Sequence, residues 1–174
     1  GLVGVGSGTT ATSLQFKNDA FGTSDFEAVK DLTGSFAATS YLKGENRGYS
    51  IANAKVKRDG VRQGEKESTA YSSQNEAYAL VLNAEDWVKY LVDAPETDDY
   101  SLSLTVGKSS KGCVFEIIID NQTIIKSEIP EDLEFGTQSY VNVNAGSFHV
   151  EKGVHSLKIR VFDGTLDVLN LSTS

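Results

Sequence analysis

Over most of the second half of the chain, from about residue 78, hydrophobic and polar residues alternate with a period of two. Tyr100, Leu102, Leu104 and Val106 are separated by Ser101, Ser103 and Thr105, the pattern of a strand with one buried and one wetted face. The same reading places strands through Val88, Tyr90 and Val92, through Cys113, Phe115, Ile117 and Ile119, and through Thr123-Ile124-Ile125. Two more run through Val141 and Val143 and through Leu157, Ile159 and Val161. Asp120 and Asn121 fall where a hairpin must turn, and both residue types tolerate positive φ. Pro95 and Pro130 each follow an apolar strand and precede acidic residues, as strand-ending turns do. Apart from a short turn expected within residues 26–32, nothing has apolar residues at helical spacing. Short strands without crossover helices predict an all-β, antiparallel sandwich or barrel. Residues 33–75 are polar and dotted with glycine, and predict loops and edge strands, with strand-like pieces near Ile51 and Val56.

Charge narrows the function. The 174 residues include 24 Asp and Glu against 16 Lys and Arg, a formal net charge of −8. A binder of phosphate backbones or of anionic lipid needs the opposite surplus, so neither nucleic acid nor membrane is an expected partner. No apolar stretch approaches the ~20 residues of a membrane span. Residues 1–12 are uncharged and rich in Gly, Ser and Thr, and read as a linker or tail ahead of a single domain over residues 13–174. They lack the lysine and following helix of a phosphate loop, and the charged start of a signal peptide. A chain without methionine, even at position 1, reads as a fragment or processed product. Cys113, the single cysteine, lies in an apolar run and reads as a buried thiol.

No catalytic constellation stands out. The acidic residues fall in runs such as Glu96-Thr97-Asp98-Asp99, which read as solvated turns. His149 and His155 are separated by a turn at Lys152-Gly153, and no serine sits in a nucleophile elbow. An enzyme is therefore not expected. Tyr41, Tyr49, Tyr71 and Tyr78 lie in the loop-rich part among polar residues, and read either as exposed platforms or as buried rings with a wet hydroxyl, the commoner state of a sandwich tyrosine. A ring beside amides and carboxylates suits a sugar, whose C–H face is apolar and whose hydroxyls want directed hydrogen bonds.

The run Asn83-Ala84-Glu85-Asp86-Trp87-Val88-Lys89-Tyr90, followed by Val92-Asp93-Ala94-Pro95, resembles the Gly-Asp-Trp-x-x-Tyr and Val-x-x-Pro elements of family 6 carbohydrate-binding modules. Glu85 stands where that family has Gly. Val150-Glu151-Lys152-Gly153-Val154-His155-Ser156-Leu157 and Arg58-Asp59-Gly60-Val61 are similar to two further elements, in register over roughly residues 50–174. The resemblance implies a jelly roll that binds polysaccharide or oligosaccharide. It also implies attachment to a catalytic domain in a secreted, extracellular polysaccharide-degrading enzyme. It places the ligand in a cleft at one end of the sandwich, with Tyr78 stacking on the sugar and Phe135 as the second aromatic. Asp167, with Asn170 close by, then stands in place of the family's asparagine, facing Tyr78 across the cleft. Structural calcium is implied too, with Glu27 as its candidate ligand. The alternative is a structural or interaction domain that packs on a catalytic domain and binds no sugar.

Overall fold

The computed structural model describes residues 26–174; the tail expected at residues 1–12 and the first part of the domain lie outside them. Six short strands come first: β1 Lys30–Asp31, β2 Ser35–Ala37, β3 Tyr49–Ser50, β4 Lys55–Val56, β5 Lys66–Glu67 and β6 Thr69–Ser72. Eight longer ones follow: β7 Ala77–Asn83, β8 Trp87–Ala94, β9 Asp98–Gly107, β10 Val114–Ile119, β11 Thr123–Glu128, β12 Tyr140–Val150, β13 Gly153–Asp163 and β14 Thr165–Thr173. Sheet A has the order β1-β8-β13-β10-β11, with β3 also on β8; sheet B has the order β12-β9-β14-β7-β6, with β2 also on β14. Apart from the β10–β11 hairpin, successive long strands cross between the sheets, as in a jelly roll, and every pairing between long strands is antiparallel. The expected fold class is met.

The alternation decides the core. Val88, Tyr90, Val92, Phe115, Ile117, Leu157, Ile159 and Val161 point inward from sheet A against Leu80, Leu82, Leu102, Leu104, Val106 and Leu166 of sheet B. Each such side chain contributes roughly 1.5–3 kcal/mol by leaving water. Asp120 and Asn121 adopt φ of 54° and 60°, which gives the left-handed turn between β10 and β11. His155 ties that turn to the next: its Nδ1 lies 2.6 Å from Asp120 and its Nε2 2.6 Å from the Glu151 carbonyl. Burial alone would lower the His155 pKa, but these two partners hold it above the ordinary value. Cys113 is buried, and burial, with help from the Asp163 charge, pushes its thiol up to about 12. It is packing material, inert as a nucleophile at neutral pH.

The irregular region is organised by one cation. Arg62 is wholly buried, its Cζ 3.9 Å from the Phe26 ring centroid and 3.7 Å from that of Tyr41. It donates to the carbonyls of Thr39, Tyr41 and Leu42, and pairs with Glu65 at 3.0 Å. Its backbone N–H donates to buried Glu67. Tyr41 and Tyr49 take the buried alternative, as an edge-to-face pair in this cluster. The guanidinium takes the backbone carbonyls on either side of Tyr41 into the interior, so a polar stretch there can be dry.

Removing the Arg62 side chain strands three carbonyls and the half-buried Glu65 carboxylate. Arg62→Ala is expected to lower the unfolding free energy by about 3–5 kcal/mol, and Arg62→Lys to recover little because an ammonium lacks the guanidinium fork. Urea unfolding followed by circular dichroism measures both, and a loss under about 1 kcal/mol for Arg62→Ala would contradict the role given to it.

Candidate functional site

In the structure, the residues of the Glu85-Asp86-Trp87-x-x-Tyr90 run divide into holders and a presenter. Glu85 adopts φ 77°, a conformation glycine takes without cost, and its carboxylate pairs with Arg160. Asp86 is buried and clamps the turn: one carboxylate oxygen accepts from the Ala52 N–H at 3.1 Å, the other from the Asn83 N–H at 2.8 Å. Tyr90 points inward and donates to the Ala38 carbonyl at 2.5 Å. Trp87 points the other way, out of sheet A, and is half-buried.

Register shows what surrounds it. On the outer face of sheet A one row across the strands reads Trp87, Arg160, Glu116, Lys126, and the next reads Lys89, Lys158, Ile118, Ile124. Phe162, on the same outward side of β13 as Lys158 and Arg160 and unpaired at the bulge between β10 and β13, is 51% exposed beside them. The Lys158 Nζ sits 4.4 Å from the Trp87 ring centroid, and the Lys126 Nζ 5.3 Å from that of Phe162. The result is a flat face with two aromatic rings and polar groups between them.

The cleft implied by the resemblance is arranged differently. Asp167 lies beside Val81 in the β14–β7 register, whereas Tyr78 is on the Leu80 and Leu82 side of β7. The two therefore project to opposite sides of the strand pair. Asp167 is engaged within the fold: Tyr140 donates to its carboxylate at 2.9 Å, and Ser110 bridges its backbone N–H and carbonyl. Gly107 leaves the room for this, since a Cβ there would lie 2.7 Å from the Asp167 carboxylate. Burial raises the Asp167 pKa, with Tyr140 and Ser109 pulling the other way. Asn170 lies in β14, opposite Ala37 and Thr105 on the outer side of sheet B. Phe135 is only 6% exposed and forms the floor of a depression of about 410 Å³, with Lys108, Lys111, Asp132 and Glu134 on its walls. Tyr78 meets Tyr71 edge to face at 5.1 Å, and Tyr71 is 58% exposed on the edge strand β6.

Glu27 does not fit calcium, which takes six to eight oxygens. Its carboxylate pairs with the Arg47 guanidinium at 2.7 Å and accepts the Lys43 N–H at 2.8 Å. Burial would raise its pKa, but the Arg47 and Lys43 contacts outweigh that and hold it below the ordinary value. Among the described residues no group of three or more His, Cys, Asp or Glu gathers as a metal site would need. His149 and His155 are held separately, by Asp99 and Asp120.

The sequence reading passed over Trp87, Lys158 and Phe162. Parity along β8 and β13 marks the first two as outward, but pairing of those strands is not written in either alone. Phe162 shares the outward parity of Lys158 and Arg160 along β13, and only its place beside Lys126 depends on the pairing of strands.

Three outcomes follow. EDTA is expected to leave the thermal midpoint unchanged, and Arg47→Ala, which breaks an exposed pair, to cost less than about 1 kcal/mol. For Asp167, a folded pKa raised above 3.8 means that its carboxyl favours the fold at low pH and loses that contribution as pH rises through the folded value. Asp167→Asn should thus be more stable than the parent at neutral pH, with the difference vanishing below about pH 4. Urea midpoints across a pH series measure this.

No protein-family model and no curated protein sequence matches the chain. Solved structures do. A carbohydrate-binding module from Cellvibrio mixtus lichenase 5A, in complex with cellotriose, superposes with a TM-score of 0.55 at 13% identity, over 81% of this chain and 97% of that one. A family 6 carbohydrate-binding module from Clostridium cellulolyticum, in complex with xylose, gives 0.54 at 15% identity, over 83% and 99%. An insecticidal crystal protein gives 0.52 at 12% identity over 79% of this chain, but only 20% of its own. At such identities the shared property is the fold, and the resemblance read from the motifs holds at that level: the described residues form the jelly roll found in family 6 carbohydrate-binding modules.

Proposed function

We propose that the chain is a non-catalytic carbohydrate-binding module. The observation that carries the reading is the outer face of sheet A, where Trp87 and Phe162 stand on rigid strands with polar groups between them. A sugar ring stacks its C–H face on an aromatic, and the flanking amine, guanidinium and carboxylate groups bond its hydroxyls. Two similar structures, described as carbohydrate-binding modules in complex with cellotriose and with xylose, support the same class of ligand. By the same analogy the module belongs to a secreted polysaccharide-degrading enzyme and directs an attached catalytic domain to its substrate. Tyr71, backed by Tyr78, is a second platform at the edge of sheet B.

Affinity electrophoresis against a panel of soluble polysaccharides tests the reading. At least one polymer is expected to retard the parent, and Trp87→Ala to weaken that binding by roughly 1–3 kcal/mol with the circular dichroism spectrum unchanged. Retardation by none of them would favour a packing domain without sugar affinity. Parental binding by Trp87→Ala, together with loss in Tyr71→Ala, would move the site to β6.

A further inference from the structure

Both rings of the proposed face carry an ammonium. Lys158 sits over Trp87 and Lys126 over Phe162. Lys89 lies directly across from Lys158 in the β8–β13 register, a like-charge pair that costs stability. Burial lowers the Lys158 pKa, and the charges of Lys89 and Arg160 lower it further. Arg160 has two carboxylates, Glu85 and Glu116. Among the described residues, Lys89, Lys126 and Lys158 form no ion pair with any carboxylate. In a chain of net charge −8 these three cations without a carboxylate partner fall in two neighbouring rows of one sheet.

Resting on the glycan-binding reading of the same face, we infer that its ligand is an acidic polysaccharide, a linear polyuronate, with Lys89, Lys126 and Lys158 pairing with its carboxylates. A neutral sugar that stacks on Trp87 must displace the Lys158 ammonium and offers it only a hydroxyl acceptor in return. A uronate displaces it too, and offers the carboxylate to which it moves, so the cation–π contact is exchanged for a charge-assisted hydrogen bond. The spacing agrees: neighbouring strands set Lys89 and Lys158 about 5 Å apart, comparable with one sugar ring and its single carboxylate. A protein partner would bury a continuous apolar centre, and here the cations divide Trp87, Phe162 and the Ile118–Ile124 pair from one another.

Trp87 is the single tryptophan, so its emission reports directly on this face. The parent is titrated with a linear oligogalacturonate, with the same oligomer fully methyl-esterified, and with poly-glutamate of matched charge. The acid is expected to give a saturable change and to bind at least roughly tenfold more tightly than the ester. That advantage should shrink as salt rises from about 0.05 to about 0.5 M. Lys158→Gln and Lys89→Gln should each weaken the acid at least several-fold more than the ester, which brings the two affinities together. Equal affinity for acid and ester overturns the inference and leaves glycan binding standing. Poly-glutamate binding as tightly as the oligogalacturonate also overturns it, since the face would then read charge and no sugar. No binding by either galacturonate form, with another polysaccharide retarded in a Trp87-dependent way, overturns the inference alone; no polysaccharide binding at all overturns both readings.

Discussion

A buried guanidinium holds the least regular third of this protein. Arg62 is stacked by Phe26 and Tyr41 and binds three successive-region carbonyls, so residues that could not bury their polar backbone in a sheet bury it around a cation. The consequences reach the site. Tyr41 packs on Tyr49, Tyr49 and Ser50 form β3, and β3 pairs with Val88 and Trp87 at the start of β8. The strand that presents Trp87 is thus flanked on one side by β13 and on the other by a segment ordered through Arg62. A charge placed in the interior is costly unless it is paired and hydrogen-bonded, and here the rings, carbonyls and Glu65 supply that together.

The same division between holding and presenting recurs along β8. Asp86 and Tyr90 spend their polar atoms on backbone groups of distant segments at Ala52 and Ala38, and of the adjoining turn at Asn83, which fixes the strand's position and rotation. Only then does alternation turn Trp87 outward with certainty of direction. A binding face built on strands needs little reorganisation when a ligand arrives, in contrast to one built on loops. The outer face of sheet B has a different character. Asp167 is held there by the Tyr140 hydroxyl and by Ser110, in the room that Gly107 leaves.

How much was legible in the sequence varied with the range of the interactions. Period-two alternation in β8, β9, β10 and β13 is a local signal, because each strand must bury one face whatever its partner, and those strands and their inward residues were readable from it. The turn at Asp120-Asn121 was readable for the same reason, since positive φ is a property of the residue itself. The motif resemblance was sufficient for the jelly roll. It was insufficient for the cleft. Asp167 and Tyr78 fall on opposite sides of a strand pair because of register, which a sequence does not state.

By itself, then, the sequence determined an antiparallel all-β chain of acidic balance, with its core residues and its principal turn. Tertiary structure alone decided that Tyr41 and Tyr49 are interior, that Glu27 faces Arg47, and that Trp87, Phe162 and three lysines share one face. The physical reason is the same in each case. Which side of a strand is dry follows from the residues in order, but which residues meet across strands, and which polar groups are satisfied inside the fold, depends on pairings between segments far apart in the chain.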